Sequence, residues 1–180
     1  MPLIPILVAI GLVFLIPTAY AGYIGAPYAP TRKPAIKKAF DLLEVGEDAV
    51  VVDLGAGDGK VLLAAHQRGA RAIGYELSPI MWLVTWIRVL GKKSISILML
   101  NFYKQQLPEE TTHIFMFLMP EHMEKIHAYL TKQKLPNLQF VLSYSFPFPD
   151  VPPLHVVQTE RAGRVFIYPV TEFTGQQEDA

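Results

Sequence analysis

The fold is decided by the stretch Val51-Val52-Asp53-Leu54-Gly55-Ala56-Gly57-Asp58-Gly59. Its first residues are mostly apolar and β-branched, which is typical of a buried strand, and its glycines come where a strand would turn into a helix. A helix that begins directly after such a loop presents unpaired backbone amides towards it, which suits a ligand. The stretch therefore predicts a strand, a ligand-binding loop and a helix in succession.

Strand and helix patterns alternate on both sides of this stretch. Helices are predicted from Pro34 to Gly46, Lys60 to Arg68, Pro79 to Leu90 and Glu121 to Lys132, and strands over 49–54, 70–75, 94–100, 113–118, 138–144, 155–159 and 165–169. Such alternation predicts a parallel sheet with right-handed crossovers. The last two strands are typical of a hairpin, so one strand should be antiparallel. Between them and the preceding strand, prolines at 147, 149, 152 and 153 exclude a helix and predict an ordered loop. The fold class is therefore α/β, with a seven-stranded, mostly parallel sheet.

The amino-terminal segment carries no charged side chain from Leu3 to Ile24. Its length matches the roughly 20 apolar residues that a transmembrane helix needs. Four basic residues follow between 32 and 38, and by the positive-inside rule they would keep the rest of the chain in the cytoplasm or the mitochondrial matrix. We therefore expect one N-terminal membrane anchor. A cleaved secretory signal ending near 19–21 is disfavoured because no basic residue precedes the apolar run, and a helix buried in a dimer interface is the other alternative.

Length and composition limit the other possibilities. The chain of 180 residues is long enough for one domain. We divide it into an anchor (1–24), a linker (25–33), the main domain (34–170) and a polar tail (171–180). Sixteen basic and sixteen acidic residues cancel, so no basic surface indicates a nucleic acid partner. The absence of cysteine removes disulfides, thiolate metal ligands and a cysteine nucleophile. No metal site is predicted.

The spacing of the glycines indicates which ligand the loop binds. A dinucleotide site has the pattern G-x-G-x-x-G, whereas Gly55, Gly57 and Gly59 follow G-x-G-x-G. Asp53 also places a negative charge where a pyrophosphate would have to lie. An acidic residue there is better suited to a ligand with an ammonium and a sulfonium group, so the loop indicates S-adenosyl-L-methionine rather than NAD.

Further cofactor contacts are expected at the ends of the next two strands. Glu76 is placed to accept hydrogen bonds from both ribose hydroxyls, although a solvated carboxylate at a strand end is the alternative. Asn101 could pair with the adenine edge, with Phe102 packing on the ring, but an ordinary turn asparagine is also compatible with the pattern. The cofactor-binding set predicted in and around these strand ends is Asp53, Gly55, Ala56, Gly57, Asp58, Gly59, Glu76, Leu77, Asn101 and Phe102.

These residues resemble a known family. The stretch from Val51 to Gly59, with Gly74-Tyr75-Glu76-Leu77-Ser78-Pro79 after it, is similar to the Rossmann-like class I methyltransferases. It is more similar to the membrane-anchored lysine methyltransferases that act on ATP synthase subunit c and on the adenine nucleotide translocase. Those enzymes carry a hydrophobic segment and stretches similar to 25–31, 101–104 and 145–149. The resemblance implies S-adenosylmethionine as cofactor and a lysine of a membrane-associated protein as acceptor.

The resemblance also implies roles for two loops. Tyr28, Pro30 and Thr31 would fold over the cofactor, and the loop around Phe146 would border the acceptor. A lysine acceptor has a pKa near 10.4 in water, and a desolvating aromatic mouth would favour its neutral form. Candidates for this mouth are Tyr28, Tyr144, Phe146 and Phe148, with His122 as a proton acceptor; core packing is an alternative for each.

Other functions remain open at this level. The fourth strand ends in Leu118-Met119-Pro120, without the Asn/Asp-Pro-Pro-aromatic tetrad of methyltransferases that act on bases or on glutamine. The alternatives are a methyltransferase of another acceptor, either a small molecule or RNA, and a catalytically inactive, membrane-tethered protein that still binds the cofactor. A nucleotide-linked oxidoreductase is disfavoured by the glycine spacing.

Overall fold

A computed structural model describes residues 3–24, 30–159 and 163–173. The helices are α1 (Leu3–Ile24), α2 (Lys33–Leu42), α3 (Lys60–His66), α4 (Pro79–Val89) and α5 (Met123–Leu130). The strands are β1 (Val50–Leu54), β2 (Arg71–Tyr75), β3 (Ile95–Leu98), β4 (His113–Met116), β5 (Phe140–Tyr144), β6 (His155–Thr159) and β7 (Gly163–Pro169). Short 3-10 turns lie at Phe102–Lys104, Pro120–His122 and Val170–Glu172.

The strands form one seven-stranded sheet in the order β3-β2-β1-β4-β5-β7-β6. β7 runs antiparallel to both of its neighbours, β5 and β6, and the other pairings are parallel. The predicted α/β class and the single antiparallel strand are therefore confirmed. β1 lies in the interior of the sheet, and its residues Val51, Val52 and Leu54 are fully buried, as a strand covered on both faces requires.

The register aligns the carboxyl ends of the parallel strands. Leu54 at the end of β1 pairs with Tyr75 on one side and with Met116 on the other. Gly55 and Glu76, which follow β1 and β2, therefore lie next to each other at the same edge of the sheet. This is the edge where open α/β sheets bind their ligands.

Two layers of helices cover the sheet. On one face, α3 packs over β1, β2 and β3 and α2 packs over β6 and β7, and the rings of Phe40 and Phe115 meet edge to face with centroids 6.4 Å apart. On the other face, α5 buries Met123, Ile126 and Leu130. The amphipathic pattern read from the sequence for α2 is confirmed, because its buried residues recur at helical spacing.

The proline-rich crossover between β5 and β6 covers the sheet with aromatic rings instead of a helix. Phe148 is only 3% exposed, and its backbone N–H donates to the Tyr168 hydroxyl at 2.9 Å. Its ring packs against Tyr168 and Phe173. The prediction of Phe148 as an acceptor-mouth residue is therefore corrected: Phe148 is a core residue. The tail boundary at 171 is corrected as well, because Phe173 is 3% exposed and completes the same cluster.

The predicted N-terminal helix is present as α1, and it lies against α4, where the hydroxyls of Thr18 and Ser78 are 3.1 Å apart. In the part of the chain that the structure describes, no helix combines the length and the apolar character needed to cross a membrane. The prediction of a transmembrane helix over 1–24 is therefore not confirmed. Residues 25–29, which include Tyr28, lie outside the described residues.

The first residue of β4 makes the stability of the fold depend on pH. His113 is 3% exposed, its Nδ1 lies 2.8 Å from the Thr112 hydroxyl, and burial lowers its pKa to about 4. Its Nε2 is buried without a hydrogen-bond partner among the described residues. The unfolded chain binds a proton at His113 near pH 6.5, whereas the native state resists protonation until about pH 4. The contribution of His113 to stability is therefore present above pH 6.5 and is lost as the pH falls towards 4.

We expect His113→Gln to weaken this pH dependence, because glutamine does not titrate. The free energy of unfolding of the natural chain should fall between pH 6.5 and 4 by up to about 3 kcal/mol more than that of the variant. Urea unfolding at a series of pH values measures the difference. The half-buried His66, which lies 2.7 Å from Ser94, provides the matched control His66→Gln. Parallel pH curves for the natural chain and His113→Gln would contradict the assignment.

Candidate functional site

Glu76 ties three parts of the site together. Its Oε2 accepts a hydrogen bond from the backbone N–H of Gly57 at 2.7 Å, and its Oε1 accepts one from the N–H of Ser78, also at 2.7 Å. Burial raises the pKa of Glu76, while these backbone hydrogen bonds act in the opposite direction. The carboxylate thus joins the glycine loop to the start of α4, where Ser78 is the N-cap residue. Glu76 is 9% exposed, so the alternative of a freely solvated carboxylate is wrong.

The same carboxylate keeps binding capacity for a ligand. Each ionised carboxylate oxygen has two acceptor positions. The N–H groups of Gly57 and Ser78 each occupy one, and the N–H of Leu77 also stabilises the carboxylate. A ligand with two adjacent hydroxyl groups could donate to the remaining positions. The structure is therefore compatible with the ribose role predicted for Glu76.

Asp53 contributes a second buried carboxyl group. It is 3% exposed, and its pKa is raised well above the ordinary range by burial, with further contributions from the charges of Glu76 and Asp58. The nearby carboxylates of Glu76 and Asp58 create a negative potential that disfavours the ionised form of Asp53. A cationic ligand would relieve this potential, whereas a pyrophosphate would increase it. The electrostatics therefore agree with the choice of ligand made from the glycine spacing.

The glycine loop turns through left-handed backbone conformations, with φ of 93° at Gly55 and 75° at Gly59. A Cβ added to Gly55 would meet no atom within 4 Å, whereas one added to Gly59 would lie 2.7 Å from the Thr85 methyl group. Gly55 is also exposed, while Gly59 is buried. Gly55 therefore faces the open side of the loop and Gly59 faces α4. Between them, Ala56 is buried, and its N–H donates to the carbonyl of Tyr75 at 2.9 Å.

Side chains of helix α4 form hydrogen bonds to the backbone of the glycine loop. The Thr85 hydroxyl donates to the carbonyl of Gly57 at 2.6 Å, and Arg88 donates to the carbonyl of Asp58 at 2.8 Å. Arg88 also lies 2.8 Å from a carboxylate oxygen of Asp58, and Lys60 lies 2.9 Å from the same oxygen. Both cations therefore pair with the Asp58 carboxylate. Asp58 was predicted from the sequence to contact the cofactor. In the structure its contacts stabilise the loop.

The sequence analysis missed Thr85 and Arg88, although a signal for both was present. Apart from the two tryptophans, they are the polar residues of the helix 79–89. Three residues apart, they lie on the same face of the helix. A polar pair on one face of an otherwise apolar helix indicates a buried polar partner, which here is the backbone of the glycine loop.

Asn101 and Phe102 follow β3 at the same edge of the sheet. The Asn101 side-chain oxygen accepts from the N–H of Tyr103 at 3.0 Å and so begins the 3-10 turn. Asn101 is therefore a turn asparagine, which was the alternative left open by the sequence. Its side-chain nitrogen takes no part in the hydrogen bond to Tyr103. The half-buried Phe102 ring packs against Tyr103 and Tyr129, with centroids 4.3 and 5.8 Å away.

An aromatic wall stands at the carboxyl ends of β4 and β5. Phe117 packs edge to face on Tyr144 at 4.8 Å and lies 6.2 Å from Phe146. The Phe146 loop is held in place because the Ser143 hydroxyl donates to the Phe146 carbonyl at 2.6 Å. Phe146 and Phe117 are half-buried, whereas Tyr144 is 5% exposed. The sequence analysis missed Phe117, although its position directly after a buried strand was a signal.

The remaining predicted residues differ in how far they are buried. Leu77 and Thr31 are half-buried, Pro30 is exposed, and His122 is half-buried in the turn before α5. Tyr28 lies outside the described residues, so its predicted role over the cofactor and at the acceptor mouth remains a prediction. Across residues 3–24, 30–159 and 163–173, no group of three or more His, Asp or Glu side chains is arranged to hold a metal ion.

The contact between Gly59 and Thr85 predicts a specific stability defect. Gly59→Ala should destabilise the fold by about 1–2 kcal/mol through its positive φ and by about 1–3 kcal/mol more through the clash with the Thr85 methyl group. Gly91→Ala is the matched control, because Gly91 has a φ of 78° but no atom within 4 Å of the added Cβ. The free energies of unfolding of both variants can be measured in urea.

A second substitution separates the clash from the backbone strain. Thr85→Ser removes the methyl group and keeps the hydroxyl that donates to Gly57. In the Gly59→Ala background it should return the destabilisation to the level of Gly91→Ala. Equal losses for Gly59→Ala and Gly91→Ala would contradict the close contact between α4 and the loop.

Known proteins are similar to this chain over most of its length. The ANTKMT methyltransferase domain family matches residues 53–155. The chain is 33% identical over 149 residues to the adenine nucleotide translocase lysine N-methyltransferase of Mus musculus, covering 80% of this chain and 63% of that protein. It is 27% identical over 154 residues to a protein-lysine N-methyltransferase of Saccharolobus islandicus, covering 81% and 94%.

The fold is shared with a solved structure as well. The RNA methyltransferase from Salinibacter ruber, in complex with S-adenosyl-L-homocysteine, has a TM-score of 0.70 and 25% identity, covering 79% of this chain and 94% of that one. The chain spans 58 to 64% of the length of its relatives from Xenopus laevis, Homo sapiens and Mus musculus. The sheet order, the glycine loop with its buried carboxylates and the matched domain lead to one assignment: the chain has the class I methyltransferase fold and belongs to the ANTKMT methyltransferase domain family.

Proposed function

We propose that the chain is an S-adenosylmethionine-dependent protein-lysine methyltransferase. The observation that carries the proposal is the pair of buried carboxyl groups, Asp53 and Glu76, that flank the glycine loop at the aligned ends of β1 and β2. Both relatives described above are named lysine N-methyltransferases, and the family is a methyltransferase domain family. The proposal joins the chemistry of the loop to the acceptor class of those relatives.

The residues present fit S-adenosylmethionine. Glu76 has free acceptor positions for the ribose hydroxyls, and Gly55 leaves open space beside the loop. The negative potential that Glu76 and Asp58 create at Asp53 suits a ligand that carries an ammonium and a sulfonium. Phe102 offers a half-buried ring for the adenine, next to Asn101. When bound, the cofactor supplies an electrophilic methyl group, and transfer forms an N–C bond while the S–C bond breaks.

The aromatic wall is the proposed acceptor side. A lysine amine attacks only as the neutral base, so the site must favour loss of its proton. Phe117, Tyr144 and Phe146 offer an apolar surface at the carboxyl ends of β4 and β5, where desolvation lowers the pKa of an amine. The chain therefore needs no covalent intermediate. Its contributions are to align the amine with the methyl group and to exclude water.

We also propose that α1 attaches the enzyme to a membrane and that the acceptor lysine belongs to a membrane-associated protein. Exposed apolar side chains follow one another along α1, at Leu3, Ile4, Leu7, Leu12 and Ile16. The adenine nucleotide translocase, named as the substrate of the mouse relative, is a protein acceptor of this kind. The basic residues that follow α1 support the proposal that the domain lies on the cytoplasmic or matrix side, as the positive-inside rule would predict.

Cofactor binding should depend on Glu76. Glu76→Gln replaces one acceptor oxygen with an NH₂ group that would face a backbone N–H or a ribose hydroxyl, so the dissociation constant for S-adenosylmethionine should rise at least about tenfold. Glu110→Gln is the matched control, because Glu110 is an exposed carboxylate whose partner is Arg71, 2.7 Å away. Calorimetry with S-adenosylmethionine and with NAD measures both. Binding of NAD alone by the natural chain would overturn the proposed cofactor.

Acceptor binding should depend on Phe146 and not on the cofactor side. We expect Phe146→Ala to lower methyl transfer to protein at least about tenfold while leaving the affinity for S-adenosylmethionine unchanged. Phe140→Ala is the matched control, because Phe140 is a half-buried ring at the opposite end of β5. The assay follows labelled methyl groups into a membrane fraction and maps the modified peptide. Label on a lysine supports the proposal, whereas acid-stable label on RNA would contradict it.

A further inference from the structure

Helix α4 turns an apolar stripe outward. Along this helix only Thr85 and Val89 are buried outright. On the other side lie Leu83, Trp86 and Ile87, which are 39%, 43% and 56% exposed. Ile80 and Leu90 extend the same stripe at helical spacing, at 36% and 54% exposure. A helix on the surface of a soluble domain ordinarily exposes its polar side to water. We therefore expect a partner to cover this apolar stripe.

Neighbouring elements extend the apolar surface. α1 lies against α4, with the Thr18 and Ser78 hydroxyls 3.1 Å apart. β3, which α4 also contacts, is the edge strand on this side of the sheet and leads into exposed Met99 and Leu100. The α4 surface, defined as the outward side chains of α4 with those of α1 and residues 98–100, is therefore larger than one helix face. Exposed apolar patches of this kind mark interaction sites.

The charges on these segments indicate which partner is bound. Residues 77–108, which contain α4 and β3, hold four of the sixteen Lys and Arg residues of the chain and none of its sixteen Asp and Glu residues. Lys92 and Lys93 lie directly after α4, whereas Arg88 pairs with Asp58 on the side that faces the loop. The partner should therefore offer both apolar contact and negative charge. Two copies of this surface would bring like charges together, which disfavours self-association.

A bilayer with anionic lipids meets both requirements. Trp82 and Trp86 stack with centroids 6.2 Å apart, and tryptophan is enriched where membranes meet water. Basic residues near a surface of anionic lipid each contribute about 1 kcal/mol to binding. Apolar side chains beside them enter the boundary between headgroups and acyl chains.

We propose that the α4 surface docks on a bilayer containing anionic lipids. The inference extends the proposed attachment through α1, on which it rests for the presence of a membrane, by adding a second contact that orients the domain. The opposite side of α4 holds Gly57 through Thr85 and Asp58 through Arg88. Docking therefore fixes the cofactor loop at a set distance from the bilayer, close to lysines at a membrane surface.

The test uses the full chain and vesicles of phosphatidylcholine with or without phosphatidylglycerol. The substitution Ile87→Glu with Leu90→Glu should lower partitioning onto vesicles with phosphatidylglycerol at least about tenfold, since it puts charge into the docking face. Leu154→Glu with Val156→Glu is the matched control, because these residues are 52% and 48% exposed at the opposite edge of the sheet, in and before β6. Thermal unfolding of each variant establishes that it is folded.

The outcomes separate this inference from the proposed function. Loss of partitioning in the α4 variant but not in the control, with weaker binding in the absence of phosphatidylglycerol, supports docking. Unchanged partitioning of the α4 variant, together with loss in Leu7→Glu with Leu12→Glu on α1, would overturn docking and leave the attachment through α1 intact. A dimer in sedimentation that the α4 variant dissociates would instead assign the surface to a second copy of the chain and overturn the inference. Calorimetry with S-adenosylmethionine reports on the proposed function independently of either result.

Discussion

The site depends on one buried carboxylate that receives two backbone N–H groups. Glu76 bonds Gly57 and Ser78 at the same time, so the glycine loop, the end of β2 and the start of α4 are held in one arrangement. An unpaired charge at this depth would be unfavourable, and the two hydrogen bonds offset that cost. The same carboxylate retains acceptor positions for hydroxyl groups. The geometry of the loop and the proposed ligand binding therefore depend on the same side chain.

Helix α4 connects the glycine loop with the surface of the molecule. On the side that faces the loop, the buried Thr85 and the exposed Arg88 bond the backbone of the loop. Its other side is apolar and exposed, and α1 lies beside it. A helix with a polar contact inside and an apolar face outside reverses the usual pattern of a surface helix. The reversal is understandable if one side serves the cofactor loop and the other a bilayer.

Much of the fold and the centre of the site could be predicted from local patterns. The alternation of strands and helices and the antiparallel strand are confirmed because periodicity and turn residues are local properties of the chain. The glycine loop is predictable for the same reason. The aromatic residues are different, because the same phenylalanine pattern fits a binding mouth or a core. Phe148 lies in the core with Phe173, whereas Phe146 stays at the edge of the sheet.

By itself, the sequence determined the α/β class, the position of the glycine loop and its preference for a cationic cofactor, because spacing and charge can be read along the chain. Only the tertiary structure decided that Asp58 is held by Arg88 and Lys60. It alone brought Phe117 next to Tyr144 and Phe146 and turned the apolar stripe of α4 outward. Each of these features joins residues that are distant in the chain or depends on which side of a helix is covered. The packing of the whole domain sets both, and no local pattern encodes them.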